Sequence, residues 1–266
     1  MQKYLYSFRM YLLTAFQYRF DTVIGLIMSN ISMLITIVFW LLIYRSNGTN
    51  SINSYSFSNM VTYFIVSNLF QTFILRGSGF EVAGMIKTGD LSRAIIKPYS
   101  VNMHLYWKYL SNALFDFVKQ FLLLILVIPF FARHLTWELS LGSSVLIVIY
   151  LAAATVISHL IWMLSGMIAF WIEEAQAVMW SIAVIINFLS GMFMPLDFFP
   201  HWSIKALELM PFAAFSYIPS KLYMNQLSFT EGTHLLIVYT LWIFLLSLLN
   251  LIVWKAGIKK YSAIGG

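Results

Sequence analysis

Residues 22–44 read TVIGLIMSNISMLITIVFWLLIY and contain no charged side chain. A helix rises about 1.5 Å per residue, so a stretch of this length can cross a hydrocarbon core of about 30 Å. Apolar stretches recur along the chain, in which 61% of the residues are hydrophobic and only 10% are charged. Because soluble domains carry about 25% charged residues, this composition predicts a protein whose solvent is a lipid bilayer.

The recurring apolar stretches predict an all-α membrane protein that crosses the bilayer with six transmembrane helices. They belong to one transmembrane domain, residues 1–266, and the predicted spans are about 22–44, 57–75, 105–131, 141–164, 175–194 and 235–254.

Residues 2–20 precede the first predicted span. Apolar side chains such as Phe8 and Tyr11 fall on one helical face, opposite Lys3 and Arg9. This pattern predicts a helix that lies in the headgroup interface. A disordered basic tail is the alternative interpretation.

The distribution of Lys and Arg predicts the orientation of the spans. With both termini inside, the inner segments hold ten basic residues and the outer segments hold four. Cytoplasmic loops carry the excess of Lys and Arg, so both termini are predicted to be cytoplasmic. This arrangement accounts for the net charge of +6, and no nucleic-acid partner is predicted. The inner set is Lys3, Arg9, Arg19, Arg76, Lys87, Arg93, Lys97, Lys255, Lys259 and Lys260, and the outer set is Arg45, Arg133, Lys205 and Lys221.

The sequence contains no motif for catalysis, metal binding or nucleotide binding. The absence of cysteine excludes disulfides, thiolate metal sites and cysteine nucleophiles. Gly79 and Gly84 have the spacing of a Walker A loop, but Met85 and Ile86 stand where lysine and a hydroxyl residue are required. The chain is therefore not predicted to be an enzyme.

Two polar features lie within predicted helices. Asp116 and Lys119 share a helical face at a spacing of three, where they can pair near the inner boundary of the third span. His159 lies inside the fourth span, where a hydrogen-bonded structural histidine is the favoured interpretation. A substrate or proton role is the alternative for His159, and a functional role of charges at membrane depth is the alternative for Asp116 and Lys119.

The polar stretch 76–100 separates the second and third spans. Residues 80–87 predict a short helix, and Asp90 can cap a second helix that begins at Leu91. A short amphipathic helix on a cytoplasmic loop is suited to docking a soluble partner, and a plain connecting loop is the alternative. The docking candidates are Phe80, Glu81, Met85, Lys87, Asp90 and Arg93.

Prolines interrupt the segment 195–229, which separates the fifth and sixth spans. Non-helical backbone at membrane depth must be enclosed by protein or line a cavity. The segment is therefore predicted to form a re-entrant helical hairpin on the outer side, with an external loop as the alternative. Its prolines are Pro195, Pro200, Pro211 and Pro219.

The order of several short motifs resembles the type-2 ABC permeases, the six-helix membrane subunits of bacterial ABC exporters. These motifs extend over almost the whole chain. They are Tyr18-Arg19-Phe20-Asp21, Gly89-Asp90-Leu91, Ile96-Lys97-Pro98, Phe170-Trp171 with Glu173-Glu174-Ala175, Leu189-Ser190-Gly191, Met194-Pro195-Leu196, Phe199-Pro200 and Leu209-Met210-Pro211-Phe212.

The resemblance implies a permease in the bacterial cytoplasmic membrane that pairs with a second permease, identical or paralogous, and with two copies of a separate ATPase. ATP and magnesium would bind the ATPase, and this chain would hold no cofactor. Residues 2–20 would be the elbow helix, 76–100 would contain the coupling helix, and the hairpin would close the outer side. The second and fifth spans would line the pathway, with Tyr63, Asn68, Gln71, Asn187 and Met192 as candidates.

An ion-coupled secondary transporter or channel that acts without an ATPase is the competing hypothesis. Such carriers place several ionisable residues near the bilayer midplane. This chain offers His159 there, together with Asp116 and Lys119 nearer the inner side, so the exporter hypothesis is favoured. The cargo is not identified by the sequence.

Overall fold

The computed structural model describes residues 2–15, 19–48, 51–135 and 140–261. The fold is almost entirely helical, and its two short strands, β1 (Ser51–Ile52) and β2 (Tyr55–Ser56), form an antiparallel hairpin between α2 and α3. In chain order the helices are α1 (Gln2–Ala15), α2 (Arg19–Asn47), α3 (Phe57–Phe70), α4 (Gly77–Thr88), α5 (Leu91–Ile95), α6 (Val101–Phe131), α7 (Leu141–Met167), α8 (Ala175–Leu189), α9 (His201–Leu209), α10 (Tyr217–Tyr223) and α11 (Phe229–Lys260).

Four stretches of the described chain are long and apolar enough to cross a membrane. This finding confirms the predicted class, a multi-pass helical membrane protein. The four stretches are Asn30–Asn47, Val101–His134, Leu141–Phe170 and Phe229–Lys260.

The second and fifth predicted spans are shorter helices in the structure. α3 has 14 residues and continues into a 3₁₀ turn, Gln71–Phe73, while α8 has 15 residues. α8 ends at Leu189, before the predicted boundary at 194, because Gly191 adopts a left-handed φ of +80° that terminates the helix.

α3 lies at the centre of the bundle. Ten of its residues are buried, and they lie on all sides of the helix. A helix that is apolar all round is stable only when other elements enclose it. α2, α6 and α10 pack around α3, and the Ser56 side chain caps its first turn by accepting a hydrogen bond from the Asn59 backbone N–H.

α4 packs along α7 instead of projecting from the bundle as a loop helix. A Cβ atom added at Gly79 would overlap the backbone oxygen of Trp162, and one added at Gly166 would overlap the backbone oxygen of Gly79. Two glycines therefore permit direct contact of the two backbones, as small residues do between membrane helices.

α1 lies against the first half of α6. The Phe8 and Trp107 rings meet edge to face with centroids 6.0 Å apart, and the Tyr11 hydroxyl lies 3.2 Å from His104 Nε2. The predicted interfacial helix 2–20 thus corresponds to α1 up to Ala15, and residues 16–18 lie outside the described chain.

The segment predicted as a hairpin, 195–229, forms two short helices, α9 and α10, joined by a 3₁₀ turn at Pro211–Phe215. They pack against α3, α7 and α11 at one end of the bundle. α11 then begins at Phe229, earlier than predicted, because Ser228 and Glu231 form a capping box at its N-terminus.

Candidate functional site

The turn between α4 and α5 is held by the end of α11. Gly89 terminates α4 with a φ of +84°, and Leu91 and Ala94 bury one side of α5. The Tyr261 hydroxyl donates to the Gly89 carbonyl at 2.9 Å and lies 3.2 Å from the Ser92 hydroxyl. The turn therefore has a fixed position at this end of the bundle.

The same end carries an exposed mixture of charged and apolar side chains. Lys87 reaches from α4 to Glu174 in the α7–α8 turn, with 3.5 Å between Nζ and Oε1, so the two segments are adjacent. Ile96 follows α5 and is 84% exposed. We call this region the end surface, and its exposed residues are Lys87, Asp90, Arg93, Ile95, Ile96, Lys97, Trp171, Ile172, Glu173 and Glu174.

Of the predicted docking residues, Lys87, Asp90 and Arg93 lie on the end surface, whereas Phe80, Glu81 and Met85 do not. These last three side chains are half-buried because α4 lies on α7. Met85 packs against the apolar cluster beneath α5.

Glu81 and Phe80 connect α4 to three other helices. Glu81 Oε2 accepts hydrogen bonds from Lys108 Nζ at 2.6 Å and from the Tyr109 hydroxyl at 2.7 Å, both on α6. The Phe80 ring lies between Trp162 of α7 and Trp180 of α8, with ring centroids 5.8 Å and 5.1 Å away. Sequence reasoning identified Gly79 only as part of an incomplete Walker motif and missed the helix crossing that aims these side chains inward.

The five predicted pathway residues occupy different environments. The buried Tyr63 hydroxyl donates to the Gly191 carbonyl at 2.6 Å, and the buried Asn68 accepts from Gln120 Nε2 at 2.5 Å. Asn187 Oδ1 is half-buried and accepts a hydrogen bond from Arg76 at 2.8 Å, which joins α8 to the segment before α4. The two remaining candidates, Gln71 and Met192, are half-buried.

A chain of three buried amides joins α2, α6 and α3. Asn30 and Gln120 exchange two hydrogen bonds of 3.1 Å, and Gln120 also donates to Asn68. Sequence reasoning singled out only Asn68. Asn30 and Gln120 could have been identified as amides within long apolar helices, because polar side chains in such helices commonly form hydrogen bonds between helices.

The opposite end of the bundle contains a cluster around Asp197. Its carboxylate accepts hydrogen bonds from the Tyr55 hydroxyl at 2.6 Å, the Tyr217 hydroxyl at 2.8 Å and Lys221 Nζ at 3.0 Å. Burial raises the pKa of the neighbouring Glu208 carboxyl above its ordinary value, while Lys221 and the Tyr217 hydroxyl act in the opposite direction. The cluster fixes the α9–α10 segment to the β-hairpin, and sequence reasoning missed it.

The four prolines of this segment mark where its elements begin. Pro195 precedes the 3₁₀ turn Leu196–Phe198, Pro200 precedes α9, Pro211 opens the next 3₁₀ turn, and Pro219 lies in the first turn of α10. A proline near a helix start sacrifices no backbone hydrogen bond, because the first N–H groups have no partner within the helix.

The predicted pairing of Asp116 with Lys119 is confirmed, with 2.6 Å between Oδ1 and Nζ. His159 Nε2 hydrogen bonds with Asn102 Oδ1 at 2.9 Å, whereas its buried Nδ1 has no partner within the described part of the chain. The histidine therefore links α7 to α6.

A family model described as ABC-2 family transporter protein matches residues 30–265. The chain belongs to the ABC-2 transporter family. The match extends from within α2 to beyond the end of α11, so it includes both the end surface and the Asp197 cluster. No curated protein matched this ABC-2 chain. Membership identifies the chain as an ABC transporter permease with a transport function, in agreement with the resemblance described from its motifs.

Proposed function

We propose that this ABC-2 protein is the membrane subunit of an ATP-driven exporter and that separate ATPase subunits bind its end surface. The observation that carries the proposal is the exposed charged and apolar end surface, which stands directly on the α4–α7 crossing. A partner that binds there would push on α4, and the close backbone contact at Gly79 and Gly166 would pass the motion to α7. ATP and magnesium would bind to two ATPase copies, and this chain would supply the pathway.

The basic residues favour a cytoplasmic position for the end surface. Lys87, Arg93 and Lys97 lie at this end together with the exposed lysines that close α11. Cytoplasmic segments carry the excess of Lys and Arg, so both termini would lie in the cytoplasm of a bacterial cell. α1 would then be the elbow helix at the inner headgroups.

The proposed topology has six spans, of which α3 and α8 are the short ones. The 14 residues of α3 with the following three-residue turn reach about 27 Å, which is close to a hydrocarbon core of about 30 Å. The α9–α10 segment would be the outer hairpin that closes the pathway, held in place by the Asp197 cluster.

A second permease, identical or paralogous, would pack against α8. Ala177, Ser181, Val184 and Phe188 recur at spacings of four, three and four, and all four are exposed. The small residues Ala177 and Ser181 allow close approach of another helix. The half-buried Asn187 would then face a pathway between the two permeases.

Reversing charge on the end surface tests the proposal. The permease is co-expressed with its candidate ATPase, purified in mild detergent and assayed for the co-purified ATPase subunit. We expect Lys87→Glu with Arg93→Glu to reduce recovery of the ATPase at least fivefold, since each reversed charge at an interface opposes its former partner. The matched control, Arg45→Glu with Arg133→Glu, changes the same charge at the opposite end and should recover the ATPase normally.

Two outcomes would contradict the proposal. The first is equal recovery of the ATPase with both pairs of substitutions. The second is nucleotide-independent transport by the permease reconstituted alone, which would support the ion-coupled carrier.

A further inference from the structure

A groove of about 470 Å³ lies where the start of α6 meets α7 and α11. Val101 of α6, Leu160 and Met167 of α7, and Leu251 and Trp254 of α11 form most of its apolar lining. Its volume is within the range of about 300–1,000 Å³ that is typical of small-molecule sites. The groove adjoins the end surface, with which it shares Ile95, and is separate from the proposed interface on α8.

The groove opens on the outside of the helix bundle. Leu251 is 59% exposed and Met103 is 51% exposed, and both line the groove. Ser247, Asn250, Leu251 and Trp254 occupy one face of α11, because their spacings are those of successive turns. A long, flexible apolar chain that lies along α11 would match this face.

Lysines stand at the polar end of the groove. Lys255 follows Leu251 by four residues, so it continues the same face of α11 one turn closer to the end surface. On the other wall, Lys97 Nζ lies 5.8 Å from the ring centroid of Tyr99, which lines the groove. Both lysines are exposed, and neither takes part in an ion pair within the described residues.

We propose that this groove binds an anionic phospholipid, with an acyl chain between α6 and α11 and the phosphate at Lys97 and Lys255. An apolar slot that ends in two cations matches one molecule with an apolar chain and a negative headgroup, and basic pockets between membrane helices bind such headgroups. A second copy of this chain would place its own basic residues near Lys97 and Lys255, so it would lack the negative charge that these lysines favour. The lipid would hold the start of α6 against α11, beside the segment that carries the end surface.

Lipid binding to the purified full-length protein tests the proposal. The protein in mild detergent is titrated with dioctanoyl phosphatidylglycerol and, separately, with dioctanoyl phosphatidylcholine, and bound lipids are counted by native mass spectrometry. A basic residue near a lipid surface contributes about 1 kcal/mol, which corresponds to about fivefold in affinity. We therefore expect Lys97→Gln with Lys255→Gln to weaken phosphatidylglycerol binding on the order of 25-fold and to leave phosphatidylcholine binding nearly unchanged.

The matched control removes the same charge elsewhere. Lys205→Gln with Lys260→Gln alters two exposed lysines that do not line the groove and should leave phosphatidylglycerol binding within about twofold of the unmodified protein. Equal weakening by both pairs would mean that net charge alone attracts the lipid, and the proposed site would be rejected. Equal affinity of the unmodified protein for the two lipids would reject it as well.

Cysteine labelling locates the bound lipid independently. Because the chain contains no cysteine, Leu251→Cys introduces a unique thiol at the groove. Phosphatidylglycerol should slow maleimide labelling of this thiol at least threefold and should not slow labelling of a cysteine at Leu241, which is exposed two to three turns away on α11. Equal protection at both positions would overturn the proposal, as would efficient crosslinking of Leu251→Cys to a second copy by a short dimaleimide in membranes.

Discussion

Replacing Gly79 by alanine tests whether the α4–α7 crossing holds the end surface on the bundle. The added Cβ would overlap the backbone oxygen of Trp162, which cannot rotate away as the end of a side chain could. The two helices must therefore separate, and overpacking of this kind costs about 1–3 kcal/mol. The alanine also favours the helix by about 1 kcal/mol, so the net destabilisation by Gly79→Ala is about 0–2 kcal/mol.

Gly84 provides the matched control because it lies in the same helix and a Cβ added there meets no atom within 4 Å. Gly84→Ala gains the same helix propensity without the clash, so the difference between the two variants isolates the packing cost of about 1–3 kcal/mol. This difference corresponds to roughly 2–12 °C in apparent Tm for a protein of this size. Both variants are purified in the same detergent and heated at one scan rate, since membrane proteins often unfold irreversibly.

Gly166→Ala extends the test to the other helix. A Cβ atom there would overlap the backbone oxygen of Gly79, so the two substitutions open the same crossing. We expect the double variant to lose less stability than the sum of the single variants, because the helices need to separate only once. An apparent Tm of Gly79→Ala equal to that of Gly84→Ala would refute the reasoning.

Two further substitutions test the polar contacts of Glu81 and of Asp197. Glu81→Gln should lower the free energy of unfolding by about 1–2 kcal/mol because it leaves Lys108 half-buried beside a neutral amide. Adding Lys108→Gln to this variant should lower the stability little further. Additive losses of stability in thermal unfolding would exclude coupling of the two residues. Asp197→Asn should release the α9–α10 segment, since Lys221 and the Tyr55 hydroxyl lose a charged acceptor, and hydrogen exchange of that segment should rise at least tenfold while exchange of α7 changes little. An equal rise of hydrogen exchange in the α9–α10 segment and in α7 would contradict a local role of Asp197.

Hydrophobicity along the chain predicted the helical membrane class because a long uncharged segment has few alternatives in a bilayer. It also predicted where the polar connections lie. It did not predict the lengths of α3 and α8, because their ends depend on local backbone conformation, such as the left-handed Gly191. The hydrophobicity of a residue near a helix end is the same whether the helix continues through that residue or ends before it.

The inward positions of Glu81 and Phe80 could not be predicted from the sequence alone. Their directions depend on the close contact of Gly79 with Gly166, two residues far apart in the chain. The Asp197 cluster also depends on contacts between distant parts of the chain, since Tyr55 is 142 residues away from Asp197, which accepts its hydrogen bond. Local spacing identifies pairs such as Asp116 and Lys119, whereas contacts between distant helices require the packed structure.

α7 is one of the long helices that connect the two ends of the molecule. Its C-terminal half carries the crossing with α4, and its 27 residues extend about 40 Å. Toward its other end, the Tyr150 hydroxyl donates to the Gly232 carbonyl of α11 at 2.7 Å, and α10 packs on the same helix. α7 is continuous from Leu141 to Met167 and contains no proline, which is a common cause of kinks in long helices. Under the proposed function, a force applied to the end surface would therefore tilt α7 and act on the α9–α10 segment, which makes α7 one route by which ATPase binding would reach the outer side.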